Sequence, residues 1–216
     1  MANYFDNELD APEVATIAQL AQKIVYRVPG CDDLTVRMAL REAFADFARL
    51  SCCFTTWRKV KLEVNKDAYP VAPIIPGMFV SAITYVVINR RKLLSPMDYT
   101  ILTGATPIIA LAKHHVPEEI DREAPKVHIR AVELPKEGSE RAPSWFLEKF
   151  GGAVASGALV RLFGMSGRAW ADAEQARMEA TRWENALTTA KIDSYRADAS
   201  QNGEGNYNPI DMSGVL

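Results

Sequence analysis

Apolar residues change their spacing twice along this chain, and that change limits the folds it can adopt. Val36, Leu40, Phe44 and Phe47 follow one another at intervals of three or four residues, which is the spacing of one buried helix face. From Trp57 onward, apolar residues alternate with charged ones, as they do along a strand with one solvent-facing side. Helical spacing returns in the last third. The pattern predicts a helical beginning, a β-rich middle and a helical end.

Four helices are predicted, over residues 12–26, 33–54, 146–158 and 172–194. The last one begins with Asp172 followed three residues later by Gln175, which fits a capping box. Its seam is mostly alanine with one large side chain, Trp183, and small residues of this kind favour a close partner helix. We therefore expect the last two helices to pack against each other as an antiparallel hairpin.

Strands are predicted where apolar residues alternate with polar ones, over residues 59–65 and 126–134, and where β-branched and aromatic residues are frequent, over residues 79–88. The middle third lacks the crossover helices that parallel strands require, so the sheet is expected to be mostly antiparallel. The predicted fold class is α+β: a mainly α-helical bundle of long antiparallel helices with an inserted small antiparallel β-domain and an extended C-terminal tail. The predicted boundaries are an N-terminal helical part at 1–56, the β-rich domain at 57–142, a helical hairpin at 143–196 and the tail at 197–216.

Composition excludes several protein classes. The chain has 216 residues, of which 48% are hydrophobic and 24% charged, so it can bury a sizeable core and is not intrinsically disordered. Its 25 Lys plus Arg against 27 Asp plus Glu argue against a dedicated nucleic-acid binder, which usually carries a strongly basic face. The three cysteines, an odd number, are expected to be buried thiols in a reducing cytoplasm.

No membrane segment is predicted. The longest uncharged run, residues 68–89, is interrupted by three prolines and a glycine in its first half, which is incompatible with a spanning helix. The first residues, MANYFDNELDAPE, lack the basic and apolar regions of a secretory signal. The chain is expected to remain in the compartment where it is made.

Residues that usually carry catalysis are sparse here. The three histidines do not stand at a catalytic spacing from a serine, cysteine or carboxylate, and a metal site would have to combine His114 or His115 with Cys31 or the Cys52–Cys53 pair. Because neither a C-x-x-C nor an H-E-x-x-H motif is present, that signal is weak. The Gly164–Gly167 segment is interpreted as a turn between helices and not as a nucleophile elbow. We predict no enzyme activity, no cofactor and no metal-ligating or catalytic residue.

A cluster of small residues inside the third predicted helix suggests close packing. Each interior glycine costs a helix about 1 kcal/mol relative to alanine, so the cluster needs a structural reason. The reason is either packing against the final helix of the same chain or contact with a neighbouring subunit. The candidate residues are Gly151, Gly152, Ala155, Gly157 and Ala158.

Two basic clusters accompany the predicted sheet. They are interpreted either as a solvated face and a charged turn, or as contacts to DNA phosphates or to an acidic rim of a partner, in which case binding would weaken with salt. Their residues are Arg58, Lys59 and Lys61, and Arg90, Arg91 and Lys92.

The C-terminal 20 residues are polar, but apolar residues are scattered among them. Such a segment is expected to be disordered in isolation, and its apolar residues suit insertion into grooves of a partner. The candidate docking residues are Tyr207, Pro209, Ile210, Met212, Val215 and Leu216.

Taken together, several segments carry a family resemblance. The segments are Val28–Pro29–Gly30–Cys31, the helix from Leu40 to Phe54, the turn from Tyr69 to Pro76, the run from Phe150 through Gly157–Ala158–Leu159 to Arg161–Leu162, and then Trp170 and Ala176. Over residues 12–196 the chain resembles the head-to-tail adaptor (connector) proteins of tailed bacteriophages, of the tail tubular protein A type found in short-tailed phages.

This resemblance implies a virion structural protein at the head–tail junction, made in the cytoplasm of the bacterial host. It implies a homo-oligomeric ring of about twelve copies that docks under the portal protein, continues the DNA channel and provides a platform for the tail nozzle protein. It also implies transient contact with packaged DNA. In relatives the helical part forms the ring wall, the β part faces the tail, and a C-terminal extension embraces the portal.

Three other functions remain open at this level. The chain is compatible with another phage neck or tail-completion protein, which differs in the neighbour that its C-terminal tail binds. A DNA-binding module would show binding to free duplex that depends steeply on salt. A small enzyme with a Cys/His site would hold stoichiometric metal or lose activity on Cys52→Ser.

Overall fold

The computed structural model describes residues 13–88, 91–119 and 125–201, with side chains as far as Tyr195 in the last range. The strands in these ranges are β1 (Val14–Thr16), β2 (Thr55–Lys61), β3 (Ala68–Pro70), β4 (Met78–Ile88), β5 (Arg91–Lys92), β6 (Tyr99–Leu102), β7 (Ile108–Leu111), β8 (Lys126–Pro135) and β9 (Arg141–Pro143). The α-helices are α1 (Ala21–Val25), α2 (Asp33–Ser51), α3 (Ser144–Phe163) and α4 (Ala173–Gln201), and 3₁₀ turns cover Ile17–Leu20 and Lys113–His115.

The strands form three antiparallel sheets. The largest has the order β2-β8-β4-β5, the second the order β3-β7-β6, and the third pairs β1 with β9. All pairings in them are antiparallel, as the lack of crossover helices in the middle third predicts.

The predicted balance of helix and strand is wrong. Over the residues that the structure describes, the fold is α+β with 42% helix and 27% strand in three antiparallel sheets, and not a mainly long-helix bundle with a small β-domain. Several of the strands are only two to four residues long, so their alternation extends over too few positions to be recognised in the sequence.

The first predicted helix, at residues 12–26, is also wrong in extent. Val14–Thr16 forms β1, which pairs with β9, the strand directly before α3. Backbone hydrogen bonds therefore join the first described residues to the segment that leads into α3. Thr16 is extended, and its hydroxyl accepts a hydrogen bond from the Ala18 amide at 3.2 Å. This cap starts the helical segment only at Ile17, and the α-helical part, α1, has five residues.

The helices α2, α3 and α4 confirm the helical periodicity. Asp32 caps α2 by accepting the Thr35 amide at 2.8 Å, and Cys52, with φ 50°, ends this helix in the left-handed conformation. Asp172 caps α4 by accepting the Gln175 amide at 3.0 Å. The Gln175 side chain does not complete the capping box in the described contacts. Its Oε1 accepts a hydrogen bond from Arg27 at 2.9 Å instead.

The two long strands confirm two of the predicted strands. β4 covers the predicted 79–88 and β8 the predicted 126–134, each with one further residue at an end. β2 begins earlier than predicted and ends at Lys61, so Leu62 and Val64 lie beyond the strand. Leu62 is nevertheless buried.

Two separate hydrophobic clusters form the core. The helical cluster is centred on aromatic rings, with Phe54 and Phe146 4.7 Å apart between centroids and Phe47 and Phe150 5.3 Å apart. The buried members of the sheet cluster all come from residues 62–131. The predicted domain boundaries stay a prediction.

Candidate functional surfaces

The outward face of α4 carries an uncharged stripe over five helical turns. Its residues follow one another at alternating intervals of three and four, the spacing of a seam between two helices, and all of them are exposed. They are Met178, Thr181, Asn185, Thr188, Ile192 and Tyr195. We call this set the α4 outer stripe.

Charged residues border the α4 outer stripe. Arg177, Glu184 and Lys191 recur every seven residues along one border, and Arg182 lies on the other. All four are exposed. An uncharged seam flanked by charges is the pattern of a helix that packs against a second helix on that side.

The opposite face of α4 is already packed against its own chain. Trp183 lies against Gly157 of α3, so closely that a Cβ atom at residue 157 would be 2.4 Å from Cζ3 of the indole. The same indole meets Phe47 of α2 with ring centroids 5.2 Å apart. The predicted helical hairpin with one large side chain in a seam of small ones is therefore what the structure contains.

The five small candidate residues are mostly enclosed within the chain. Gly151, Ala155, Gly157 and Ala158 are buried, whereas Gly152 is exposed and a Cβ atom there would have no neighbour within 4 Å. Of the two alternatives, packing within the chain accounts for Gly157 through Trp183 and for Gly151 through Leu20. Of these five residues, only Gly152 is exposed and so accessible to another subunit.

A buried carboxylate ties α4 to the beginning of the chain. Oε1 of Glu179 accepts hydrogen bonds from Arg27 at 2.6 Å and from Arg182 at 2.8 Å, while its Oε2 is buried without a hydrogen-bond partner among the described residues. Burial raises the pKa of Glu179. The Ser156 side chain and the two arginines together lower it by more than burial raises it, so its pKa lies below the ordinary value.

Arg58, a member of the first basic cluster, lies inside the protein. Its side chain is 9% exposed and pairs with Glu133, which is fully buried. Glu133 also accepts the Thr56 hydroxyl at 2.8 Å and the Ile74 and Ile75 amides at 2.9 Å each. Burial lowers the pKa of Arg58 and the charge of Glu133 opposes that change. Since its Nε and Nη1 atoms are also buried, Arg58 does not reach DNA or a partner in this fold.

The other described members of the basic clusters remain at the surface. Lys59, Lys61, Arg91 and Lys92 are all exposed. The register places Lys59 opposite His128, and Val87 opposite both His128 and Lys92, so the two clusters meet in one row on one face of the large sheet.

One described member of the basic clusters lies on the other face, and the remaining candidates fall outside the described residues. Arg91 belongs to the neighbouring row, whose side chains point to the other face of the sheet. Arg90 falls outside the described residues, and so does the whole predicted docking set Tyr207, Pro209, Ile210, Met212, Val215 and Leu216.

Two histidines and an aspartate converge at the end of the β6–β7 hairpin. Oδ1 of Asp98 lies 3.2 Å from Nε2 of His114 and 2.9 Å from Nε2 of His115. The Leu94 amide and the two imidazoles hold the pKa of Asp98 well below its usual range. Sequence reasoning paired these histidines with cysteines and missed Asp98. A prediction of the β6–β7 hairpin would have placed residue 98 next to residue 112 and so beside the histidine pair.

The cysteines do not join that cluster. Among the described residues, the group able to hold a metal ion consists of Asp98, His114 and His115. All three thiols are free. Cys52 is exposed, contrary to the expectation of buried thiols, because it is the residue that ends α2. Burial raises the pKa of the Cys53 thiol to about 12.

The glycine-rich segment at residues 164–167 lies between α3 and α4, which confirms a turn between helices. Of the helices that the structure describes, none combines the length and hydropathy needed to cross a bilayer. Comparison with known protein families finds no match, and no curated protein matches significantly.

Proposed function

We propose that this protein is a head-to-tail adaptor of a tailed bacteriophage, a virion structural protein and not an enzyme. In this proposal, about twelve copies form a ring under the portal, continue the DNA channel and provide the platform for the tail nozzle. The α4 outer stripe is the observation that carries it, since such a ring needs a repeated contact between subunits. The sequence resemblance supplies the identity of the neighbours.

The α4 outer stripe suits a contact between copies for a physical reason. The inner face of α4 is packed through Trp183, so the stripe is not required for the fold of a single chain. Met178, Ile192 and Tyr195 are each more than 40% exposed. Removing apolar surface from water is favourable, so a partner that covers these side chains would gain binding free energy. A second helix laid along the stripe would remove them from water.

Ring closure requires a contact between two different patches of the same molecule. A complementary patch is available on α2, where Leu34 and Met38 are exposed, apolar and one helical turn apart. In the ring, the α4 outer stripe of one copy packs against Leu34 and Met38 of the next. A stripe that paired with itself would give a closed dimer instead.

The C-terminal end of α4 and the exposed lysines of the large sheet are consistent with this arrangement. In a ring with a single rotation axis, the C-terminal ends of α4 from all copies lie on one side, and we assign that side to the portal. Lys59, Lys61 and Lys92 share a face of the large sheet. That face provides positive charge for the phosphates of the packaged DNA or for an acidic rim.

Native mass spectrometry of the purified full-length chain tests the ring contact. Met178→Glu with Ile192→Glu places two charges on the α4 outer stripe and should abolish any self-assembly, with the circular dichroism spectrum unchanged. Met97→Glu with Leu102→Glu is the matched control, because these apolar residues of the β part are at least as exposed as Met178 and Ile192, and it should assemble as wild type does. Equal assembly of both double variants would contradict the assignment of the stripe.

A second experiment tests the adaptor assignment itself. The chain is mixed with the portal ring of the phage that encodes it, with and without residues 202–216. Saturable binding of about one copy per portal subunit, weakened by the deletion, is the expected result. An absence of portal binding by chains that assemble normally would overturn the adaptor assignment. Binding to a different neck or tail protein would favour a tail-completion protein, and salt-dependent binding to free duplex would favour a DNA-binding module.

A further inference from the structure

The β6–β7 hairpin brings Asp98 and the two adjacent histidines together. Tyr99 pairs with Leu111 at the open end of the hairpin, and the next step along is a hydrogen bond from the Ala112 amide to the Asp98 carbonyl at 2.8 Å. A 3₁₀ turn begins at Lys113, and the His115 amide donates to the Ala112 carbonyl at 2.9 Å. The turn carries both imidazoles back over the Asp98 side chain.

Asp98 is held so that its Oδ2 accepts a backbone hydrogen bond and its Oδ1 faces the histidines. Its amide donates to the Leu94 carbonyl at 2.8 Å, and its Oδ2 accepts the Leu94 amide at 2.8 Å. Oδ1 meets Nε2 of both His114 and His115. The side chains of Asp98 and His115 are only 8% and 12% exposed, whereas His114 is 61% exposed. The cluster is therefore fixed on its inner side and open on its outer side.

The distances in the cluster fit coordination of one small cation. Ligand atoms about 2.1 Å from a metal ion, at angles between 90° and tetrahedral, lie about 3.0 to 3.4 Å from one another. The two distances from Oδ1 to the imidazole nitrogens are 2.9 and 3.2 Å, and all three ligand atoms lie within 4.8 Å of one another. A rotation of the exposed His114 side chain can bring its Nε2 to the same spacing from Nε2 of His115.

Electrostatics gives this cluster a reason to take a cation. Three atoms that carry lone pairs converge on one point, and a neutral imidazole presents such a lone pair at Nε2 when its proton is on Nδ1. With the proton on Nε2 instead, each imidazole can donate its own hydrogen bond to Oδ1, and both distances also fit that arrangement. A divalent ion would replace both hydrogen bonds and interact with the carboxylate oxygen and the two imidazole nitrogens at once.

We propose that Asp98, His114 and His115 form a three-ligand site for a divalent first-row transition metal ion, with Zn²⁺ as the preferred occupant. Two imidazoles and one carboxylate are a ligand set that suits Zn²⁺. The fourth position lies on the open side beside His114 and is taken by water or by a donor atom of another molecule. The ion clips the segment before β6 to the turn after β7 and so stabilises the second sheet.

Metal titration of the metal-stripped, untagged full-length chain tests this site. Isothermal titration calorimetry with Zn²⁺ should show one site per chain. His114→Ala is the informative variant, because this side chain is 61% exposed and its removal is expected to leave the fold intact. It should weaken Zn²⁺ binding by about a hundredfold, since one of three ligands is lost.

Two control variants separate this site from other metal binding. His128→Ala removes a histidine of the large sheet, outside the cluster, and Cys52→Ser removes the exposed thiol. Both should bind Zn²⁺ as wild type does. With Co²⁺ as a spectroscopic probe, the bound ion should show d–d bands without sulfur-to-metal charge transfer.

The site is also expected to stabilise the folded chain. Zn²⁺ should raise the melting temperature of wild type and of His128→Ala but not that of His114→Ala. Equal Zn²⁺ affinity of wild type and His114→Ala would overturn the proposal, and so would an absence of binding at about 100 μM Zn²⁺. A strong charge-transfer band that disappears in Cys52→Ser would assign the metal to the cysteines instead.

Discussion

Gly157 on α3 and Trp183 on α4 are in contact without room for a further carbon atom. A Cβ atom at residue 157 would lie 2.4 Å from Cζ3 and 2.5 Å from Cε3 of the indole. The indole is also packed against Phe47, so it is held from a second side. The glycine is thus required by the close approach of the two helices.

Gly157→Ala is therefore expected to destabilise the protein, although alanine is the better helix former. Overpacking costs about 1 to 3 kcal/mol, which exceeds the gain in helix propensity of about 1 kcal/mol. Gly152→Ala, five residues earlier on the same helix, meets no atom within 4 Å and should stabilise by up to about 1 kcal/mol. Urea unfolding of both variants measures the difference. Equal effects of the two substitutions would contradict the packing argument.

Glu133 is expected to be among the residues most important for stability in the sheet. Glu133→Ala leaves the Arg58 guanidinium buried without its counter-charge and removes the acceptor of the Ile74 and Ile75 amides. Loss of one partner of a buried ion pair costs about 3 to 5 kcal/mol. Glu137→Ala, an exposed position just beyond β8, should change the free energy of unfolding by less than about 0.5 kcal/mol.

The double variant Arg58→Met with Glu133→Gln checks the cause of that loss. Because it removes both charges, it should be more stable than Glu133→Ala alone. If the double variant were the less stable of the two, the uncompensated charge of Arg58 would not be the reason for the destabilisation. Thermal melting under identical conditions provides this comparison.

The stability of the helical part should depend on the charge of Glu179. Its pKa is lower in the folded chain than its ordinary value of 4.5, so the folded state binds the proton less readily than the unfolded state does. The resulting stabilisation is present above the unfolded-state pKa and is lost as the pH falls through the folded-state pKa. Urea midpoints between about pH 7 and pH 3 should therefore fall more steeply for wild type than for Glu179→Gln.

An exposed acidic residue on the same helix is the control for this pH dependence. Glu174 lies in the first turn of α4 and is exposed. Glu174→Gln should leave the slope of stability against pH close to that of wild type. A wild-type slope in Glu179→Gln would show that this carboxylate does not contribute to acid sensitivity.

The two adjacent cysteines should differ in reactivity. Cys52 is exposed at the end of α2, while burial raises the pKa of Cys53 to about 12, so the Cys53 thiolate that alkylating reagents require is scarce. With iodoacetamide at about pH 8, the folded chain should be modified at Cys52 first. Peptide mass spectrometry identifies the modified residue, and the urea-unfolded chain, in which both should react, serves as control.

Whether a structural feature could be predicted from the sequence depends on how far apart in the chain the interacting residues are. The apolar spacing around Phe44 and Phe47 predicts α2, and the alternation from Lys126 onward predicts β8, because both patterns reflect one element packed on one core. The predicted helix at residues 12–26 is wrong because the pairing of Val14 with Pro143 overrides the local helical pattern.

The candidate sites show the same division. The helical hairpin and Trp183 as its large side chain are readable from the alanine seam of α4. The sequence predicts that Arg58 is a surface cation, because it stands beside Lys59 and Lys61. Its position in the interior depends on Glu133, which is 75 residues away.

By itself, the sequence determined where the chain changes from helical to extended conformation and back. It also determined which helix faces are apolar and where α2 and α4 begin. Those features depend on residues within a few positions of one another, through backbone hydrogen bonds and side-chain spacing. Only the tertiary structure decided that Arg58 is buried and that Asp98 meets His114 and His115. It also decided that the α4 outer stripe faces away from the core. Each of these depends on contacts between distant segments, which form only when the whole core is packed.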